Sequence, residues 1–263
     1  MDRRVMRGPV IAGLLLLGAG AHAAPVSGQG TWETTLQGRD LDGVVNTFEA
    51  YYDTVLDITW LADANYAKTS GYDSDGAMTW QAASDWAANL DVHGVTGWRL
   101  ADNTPVNGSS YNTSYSPAGN TDLGYNISAP GTTYAGSTAS EMAHLFYNTL
   151  GNKGLVDTAG NVQSGSGLSN TGPFENVQAG HYWSGSELSA SVAWNFFFAN
   201  GYQNIYVGKP NSVFAWAVRS GDVPVSGAPV PIPAAGWLFL SALGAFGYLG
   251  KRKANNLSGS TTQ

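Results

Sequence analysis

Histidines, whose side chains could catalyse a reaction or bind a metal, are few and widely spaced in this 263-residue sequence. Beyond residue 23 the histidines are His93, His144 and His181, and no two of them have the spacing of a metal-ligand pair. The sequence contains no cysteine, which excludes disulfides, thiolate metal sites and a cysteine nucleophile. We therefore predict no metal site and no cofactor, and expect the histidines to be surface or packing residues.

One acidic cluster, Asp73-Ser74-Asp75-Gly76, resembles part of a calcium-binding loop. The further oxygen ligands and the closing glutamate are missing at the required spacing. The pattern favours a solvated turn, and a calcium site at Asp73 and Asp75 is the alternative.

Carboxylates are numerous enough to suggest a second kind of chemistry, the hydrolysis of polysaccharides. That reaction needs two Asp or Glu side chains that converge on one glycosidic bond. The spacing in the sequence does not identify such a pair, and no catalytic signature is recognisable. The sequence therefore favours a protein that is not an enzyme.

The stretch Asp102 to Ser137 is rich in Asn, Ser, Thr, Gly and Tyr and predicts a long loop, functional or disordered. Tyr with Ser, Gly and Asn is also the composition of antibody binding loops, in which rigid aromatic surface combines with adaptable hydrogen bonding. We expect any binding face to combine this loop with the loop before His181. The candidate binding residues are Tyr111, Tyr115, Tyr125, Tyr134 and His181. The alternative is a surface loop that packs on its own domain.

Strands and two helices must position these residues. From Thr31 to Trp60 the residues alternate as in strands, with Trp32, Thr34 and Leu36 on one side, and Asp40-Leu41-Asp42-Gly43 predicts a hairpin turn. A helix is predicted over Thr79 to Leu90, with Thr79 as its cap.

A second helix starts at Thr138 and Glu141, which have capping-box spacing, and stops at Gly151. Between Tyr182 and Asp222, aromatic and β-branched residues alternate with Gly and Asn, the pattern of antiparallel strands. Asn200-Gly201 predicts a tight two-residue turn in a hairpin over Ser191 to Tyr206.

Arg99 and Arg219 lie beside tryptophans in apolar stretches of the sequence, where a charge persists only if it is paired or fully hydrogen-bonded. We interpret both as structural cross-links rather than as substrate clamps. The residues assigned structural roles are Trp98, Arg99, Glu141, Trp183, Trp194, Trp216 and Arg219.

The charge distribution argues against nucleic acid as a partner. The formal net charge is −7, but six of the 12 Lys and Arg residues lie in the two end segments. Between Ala24 and Gly250, six bases therefore face 18 acids, and such a surface repels phosphate backbones.

Both ends of the chain have the composition of processing and membrane segments. Residues 1–23 combine early arginines, an apolar run and Ala21-His22-Ala23, the pattern of a cleaved signal peptide, with a buried N-terminal helix as the alternative. Residues 223–233 are a Pro-rich linker, residues 234–250 have the length and composition of a membrane helix, and residues 251–263 are a basic cluster with a polar tail.

This C-terminal arrangement resembles a PEP-CTERM sorting signal in its Val-Pro-Leu-Pro-Ala variant. The residues that carry the resemblance are Val230, Pro231, Pro233, Ala234, Lys251, Arg252 and Lys253. Ile232 and the polar tail depart from the commonest form. The resemblance implies a Gram-negative envelope protein that signal peptidase and an exosortase-type transpeptidase process, and that reaches the cell surface or the exopolysaccharide matrix.

The stretch Tyr52 to Asp222 resembles the C-terminal domain family of the collagen-like bacterial adhesin, and we assign residues 24–222 to this domain. The matching segments include Met78-Thr79-Trp80, Gly97-Trp98-Arg99-Leu100 and Tyr182-Trp183-Ser184, whereas Asp57 and Ala101 depart from the family pattern. The resemblance implies an α+β, C-type-lectin-like fold related to the formylglycine-generating enzyme, with small antiparallel sheets, two main helices and long loops. We thus expect a non-catalytic module that binds glycan or another envelope component. The alternatives are a polysaccharide-active enzyme and a purely structural matrix component.

Overall fold

The computed structural model describes residues 23–223, and the features predicted for residues 1–22 and 224–263 lie outside this range. Residues 23–223 form one compact unit of twelve strands and four α-helices. The helices are α1 (Trp32–Thr35), α2 (Tyr66–Thr69), α3 (Trp80–Ala88) and α4 (Glu141–His144), and α4 continues as a π-helical turn over Leu145–Thr149. The strands are β1 (Leu36–Arg39), β2 (Ala50–Asp53), β3 (Ile58–Leu61), β4 (Ala77–Met78), β5 (Trp98–Leu100), β6 (Tyr115–Ser116), β7 (Leu123–Gly124), β8 (His181–Ser189), β9 (Val192–Phe197), β10 (Tyr202–Asn204), β11 (Val213–Phe214) and β12 (Ala217–Ser220).

The strands form two sheets. A five-stranded sheet has the order β1-β2-β3-β12-β5, and all its neighbours are antiparallel. A seven-stranded sheet has the order β4-β11-β8-β9-β10-β7-β6, with parallel pairing of β11 with β8 and of β6 with β7. The predicted mixture of helices and mainly antiparallel sheets is confirmed at the level of an α+β protein.

The core is an aromatic cluster between the two sheets. Trp216 lies between β11 of the larger sheet and β12 of the smaller one, and its ring centroid is 5.1 Å from that of Trp60 on β3. On its other side Trp216 contacts Tyr182 of β8 at 5.9 Å and Phe198 at 5.9 Å. Aromatic rings bury large apolar areas, so this cluster stabilises a domain that has no disulfides.

The predicted helices are present, with one correction. Helix α3 begins where Thr79 Oγ1 accepts a hydrogen bond from the Ala82 amide at 3.3 Å, as its predicted cap requires. The second helix is capped by Ser140 and not by Thr138, because Ser140 Oγ accepts from the Ala143 amide. Glu141 is therefore the first helical residue, and its carboxylate binds Arg99 instead of closing a capping box.

Two predicted strand features differ in the structure. Trp32 and Thr34 belong to the helical turn α1, because the Thr34 and Thr35 amides both donate to the Thr31 carbonyl, and strand β1 begins only at Leu36. The β9–β10 hairpin is present, but its register pairs Phe197 with Tyr202, so residues 198–201 form the connection rather than a two-residue turn. Gly201 still provides a positive φ of 79°.

The polar stretch 102–137 is not an open loop. It contains β6 and β7, and the side chains of Leu123 and Ile127 are buried. The buried Asp122 carboxylate accepts hydrogen bonds from the amides of Val106 and Asn112 at 2.8 and 2.7 Å, which closes the segment on itself. No helix formed by residues 23–223 is long and apolar enough to cross a bilayer.

Candidate functional site

Three tyrosines from separate elements meet on one surface of the larger sheet. Tyr202 of β10 lies 4.8 Å from the ring of Tyr125 and 6.2 Å from the ring of Tyr115, and the rings of Tyr115 and Tyr125 are 6.5 Å apart. We call Tyr115, Tyr125 and Tyr202 the tyrosine cluster. Tyr115 is 55% exposed, and the nearby Tyr206 is 69% exposed, so solvent reaches aromatic faces at this surface.

Strand pairing explains why residues so far apart in sequence become neighbours. Strand β7 pairs with β6 on one side, where Ser116 lies opposite Gly124, and with β10 on the other, where Gly124 lies opposite Gln203. Gly124 has a φ of 139°, and a Cβ there would collide with the Ser116 carbonyl. Only glycine allows this close approach, so Gly124 is necessary for the tyrosine cluster to form.

A buried glutamine joins the segments that carry the cluster. The Gln203 side-chain amide donates to the Asp122 carbonyl at 2.9 Å and to Asn103 Oδ1 at 3.2 Å, and its oxygen accepts from the Ser140 hydroxyl. Since buried polar groups are costly when unpaired, these bonds fix β10 against residues 103–122 and against the start of α4.

The polar groups around the cluster are neutral. Asn200 Nδ2 donates to the Tyr125 hydroxyl at 3.4 Å, and Ser116 Oγ donates to Asn120 Oδ1 at 2.6 Å. Burial raises the pKa of Tyr202, and the neighbouring Tyr206 phenol contributes in the same direction. The cluster is therefore uncharged at neutral pH and offers flat apolar faces beside hydroxyl and amide groups.

His181 lies on β8 and stacks on Phe197 of β9, with ring centroids 4.1 Å apart and an interplanar angle of 4°. Its Nδ1 is 2.8 Å from Asn195 Oδ1. Burial lowers the pKa of His181, which leaves the ring neutral at pH 7. Phe197 is paired in register with Tyr202, so one strand position separates His181 from the cluster.

Two of the predicted tyrosines lie elsewhere. Tyr111 packs on the buried ring of Trp194 at 5.0 Å, and its hydroxyl donates to the Asn103 carbonyl. Tyr134 is half-buried and packs against the core. The structure thus brings together Tyr115 and Tyr125 but not Tyr111 and Tyr134. It adds Tyr202, whose only signal in the sequence was its position just after Asn200-Gly201.

A cleft of about 620 Å³ lies where both predicted loops meet. Its polar lining comes from Asn126 in the first loop, Asn148 in the π-helical turn, and Asn152, Lys153 and Asp157 in the second loop. The Asn126 amide donates to the carbonyls of Pro117 and Val156, and Asp157 accepts from the amides of Ala159 and Asn161. The side chains of Asn126 and Asp157 are thus engaged in holding the loops.

Acidic residues gather at a smaller cleft of about 240 Å³, lined by Glu49, Asp63, Glu175 and His93. Asp63 already accepts from the Asn65 amide and the Thr69 hydroxyl, and Glu49 accepts from the Leu41 amide. A carboxylate oxygen of Glu49 also lies within 4.8 Å of carboxylate oxygens of Asp40 and Asp42. Within residues 23–223, these three side chains are the one group of His, Asp and Glu residues close enough together to share a cation.

The acidic turn at Asp73 is held by its own backbone. Asp73 Oδ1 accepts from the amides of Asp75 and Gly76, at 3.0 and 2.8 Å, and these bonds lower the pKa of Asp73. Asp75 Oδ1 accepts in turn from the Ala77 amide at 3.0 Å. The carboxylates thus act as turn-forming side chains.

The residues assigned structural roles connect segments that are distant in sequence. Arg99 makes a bidentate pair with Glu141, at 2.8 and 2.7 Å, and Glu141 also accepts from the Asp102 amide at 2.6 Å. Arg219 donates instead to the backbone carbonyls of Thr96, Ser220 and Asp222. The indole nitrogens of Trp98, Trp183 and Trp216 donate hydrogen bonds to the backbone carbonyls of Val95, Met78 and Leu61, respectively. The buried Trp194 packs under Tyr111.

One structural pair has no signal in the sequence. Arg39 of β1 holds Asp222 through two hydrogen bonds of 2.6 and 2.8 Å, and its guanidinium lies 5.2 Å from the ring centre of Tyr52. The pair joins the first strand of the fold to the end of the domain, 183 residues away.

No family model matches this sequence, and no curated protein matches it closely enough to count as a relative.

Proposed function

We propose that this protein is an exported cell-surface or exopolysaccharide-matrix protein whose folded domain binds a glycan without cleaving it. The observation that carries the proposal is the tyrosine cluster, formed by Tyr115 on β6, Tyr125 directly after β7 and Tyr202 on β10. Aromatic faces pack against the C–H faces of sugar rings, and phenol hydroxyls bond to sugar hydroxyls. The cluster combines both features on a rigid sheet.

A binding role agrees with the way the cluster is supported. Its residues are held by Gln203 and by the Gly124 backbone, and not by a mobile loop. A site that is formed before the ligand arrives loses less conformational entropy on binding. The mixed α+β architecture agrees with a C-type-lectin-like fold, which we propose for residues 24–222.

The alternative of a polysaccharide-active enzyme depends on the cleft with Glu49, Asp63 and Glu175. An inverting or retaining glycosidase needs one carboxyl group free to donate a proton and another facing it across the substrate. Asp63 and Glu49 instead accept hydrogen bonds from the backbone of their own loops. We therefore prefer the non-catalytic function.

Location is inferred from the two ends of the chain. The signal-peptide pattern of residues 1–23 and the sorting-signal pattern that follows residue 223 support export across the inner membrane of a Gram-negative bacterium. Signal peptidase and an exosortase-type transpeptidase are the processing partners. A helix over residues 234–250 would hold the protein in the membrane until processing.

The test is to measure binding of the mature protein to a glycan array and to the exopolysaccharide of the cells that produce it. The proposal expects binding to at least one polysaccharide, with no release of reducing ends. Release of reducing ends would establish the enzyme. Absence of binding to every glycan, including the native matrix, would leave the protein as a structural component.

A further inference from the structure

The tyrosine cluster is one end of a longer line of aromatic residues that crosses the larger sheet. Residues paired directly in neighbouring strands point to the same face of a sheet. His181 is paired with Phe197, and Phe197 is paired with Tyr202. The ring of Tyr202 then contacts Tyr125 and Tyr115. We call these five residues the aromatic row.

The row is long compared with a single sugar. It follows β8, β9 and β10 in the order of the sheet and continues through Tyr125, which comes directly after β7, to Tyr115 of β6. Neighbouring strands are about 4.8 Å apart, so the part of the row from His181 to Tyr202 covers roughly 10 Å at right angles to the strands. The ring of Tyr115 lies another 6.2 Å from that of Tyr202. An extended polysaccharide chain can cover such a surface, whereas a monosaccharide contacts only one part of it.

The row is uncharged, and its polar neighbours are uncharged too. Asn195 Oδ1 accepts a hydrogen bond from His181 Nδ1, and Asn200 Nδ2 donates to the Tyr125 hydroxyl. Burial lowers the pKa of His181 and raises the pKa of Tyr125 and Tyr202, and each shift favours the neutral form of the ring.

The basic residues of the domain are mostly engaged elsewhere. Arg39, Arg99 and Lys209 form ion pairs with Asp222, Glu141 and Glu187, and Arg219 binds backbone carbonyls. Lys153 lines the separate cleft of about 620 Å³, and Lys68 lies on α2. With 18 acids against these six bases, the domain repels polyanions and gives an anionic glycan no ring of cations to bind.

We propose that the aromatic row binds an uncharged, extended polysaccharide chain that lies across the strands, from Tyr115 at one end to His181 at the other. This inference rests on the proposed glycan-binding function and specifies the class of ligand and its direction on the sheet. Phe197 and His181 become binding residues in addition to the tyrosine cluster.

The test uses the exopolysaccharide of the producing cells, separated by anion exchange into a neutral and an anionic fraction, with part of the neutral fraction hydrolysed and sized into short and long fragments. Binding of the mature wild-type protein is compared with that of Tyr202→Ala, Phe197→Ala and His181→Ala. Tyr72→Ala is the matched control, because Tyr72 is 61% exposed and packs on Trp86, outside the row. Melting temperatures are measured for every variant.

The proposal expects binding to the neutral fraction, little change between low and high salt, and an affinity that rises with fragment length. Phe197→Ala and His181→Ala should weaken binding of long fragments about tenfold and leave short fragments unaffected, since these contact only the tyrosines. If Phe197→Ala does not fold, His181→Ala and the length series decide the question.

Three results would overturn parts of the account in distinguishable ways. In the first, folded Phe197→Ala and His181→Ala bind long fragments with wild-type affinity while Tyr202→Ala loses binding. That result would reject the row and keep the proposed function. Salt-sensitive binding to the anionic fraction alone would reject the uncharged ligand. Absence of binding to both fractions would reject the proposed function together with the row.

Discussion

The hydroxyl group of Tyr147 bridges the two segments that carry Tyr125 and Tyr202. It donates a hydrogen bond to the Gly201 carbonyl at 2.7 Å and accepts one from the Asn126 amide at 2.9 Å. Gly201 and Asn126 are the chain neighbours of Tyr202 and Tyr125 respectively. Tyr147 is only 3% exposed, so both bonds are shielded from water. One buried phenol thus sets the distance between two of the three clustered rings.

Replacing Tyr147 by phenylalanine should therefore destabilise the domain and weaken glycan binding together. The change leaves a buried carbonyl and a buried amide without a partner, at a cost of about 1–3 kcal/mol in the free energy of unfolding. Urea denaturation measures the loss, and Tyr72→Phe, at an exposed phenol, is the control that should not change. An unaltered unfolding free energy in Tyr147→Phe would show that the bridge has no structural role.

Arg99→Ala should lower stability more than it lowers binding. The substitution leaves the carboxylate of Glu141, which is mostly buried, without its bidentate partner, and breaking such a pair costs roughly 2–4 kcal/mol. Thermal denaturation with Lys68→Ala as control measures the effect, because Lys68 is exposed. An Arg99→Ala protein with wild-type melting and lost binding would make Arg99 a ligand contact instead.

The stabilising effect of Asp222 should depend on pH in a defined direction. The hydrogen bonds from Arg39 lower the pKa of Asp222, so the folded state favours the ionised form. Its contribution is present at neutral pH and is lost as the pH falls below about 4, through the lowered pKa. Since half of the Asp222 side chain is exposed, we expect the ion pair to contribute only about 0.5–1 kcal/mol to the free energy of unfolding.

Unfolding of Asp222→Asn and of the wild type should be compared at pH 7 and at pH 3. The difference in unfolding free energy should be largest at pH 7 and shrink at pH 3, and Arg39→Gln should show the same trend. A difference that grows on acidification would contradict the assignment of this ion pair.

Export predicts a specific pattern of processing. Residues 1–23 should be absent from the protein in envelope fractions, and a segment within residues 234–249 should be retained at least transiently. Mass spectrometry of those fractions tests both statements. Surface protein with an intact N-terminal segment would reject the signal peptide.

The elements that depend on local sequence were predictable, and those that depend on distant pairing were not. Helix α3 followed from its apolar spacing and from Thr79, and the β9–β10 hairpin from Asn200-Gly201. The cap at Ser140 was missed because Arg99, far away in sequence, takes the Glu141 carboxylate that a capping box would use.

In the candidate site, too, the residues with a local signal were predicted and those placed by distant strand pairing were not. The composition of residues 102–137 indicated tyrosines as binding residues, and two of them lie in the cluster. Tyr202 was missed because its position beside Tyr125 depends on the pairing of β7 with β10, which leaves no local signal. The pairing of Arg39 with Asp222 likewise joins residues 183 positions apart and leaves no local signal.

Shortening the 103–133 segment would not test the site by itself, since Leu123 and Ile127 belong to the buried part of the domain and their loss would also affect folding.

The most direct measurement is the dissociation constant of the mature protein with the exopolysaccharide of its own cells. It is measured for the wild type, Tyr115→Ala, Tyr202→Ala and the control Tyr72→Ala. Loss of a central aromatic contact costs about 2 kcal/mol, so both cluster variants should bind at least tenfold more weakly while Tyr72→Ala binds normally. Equal affinity of all four folded proteins would contradict the account, because the tyrosine cluster would then not be the binding surface.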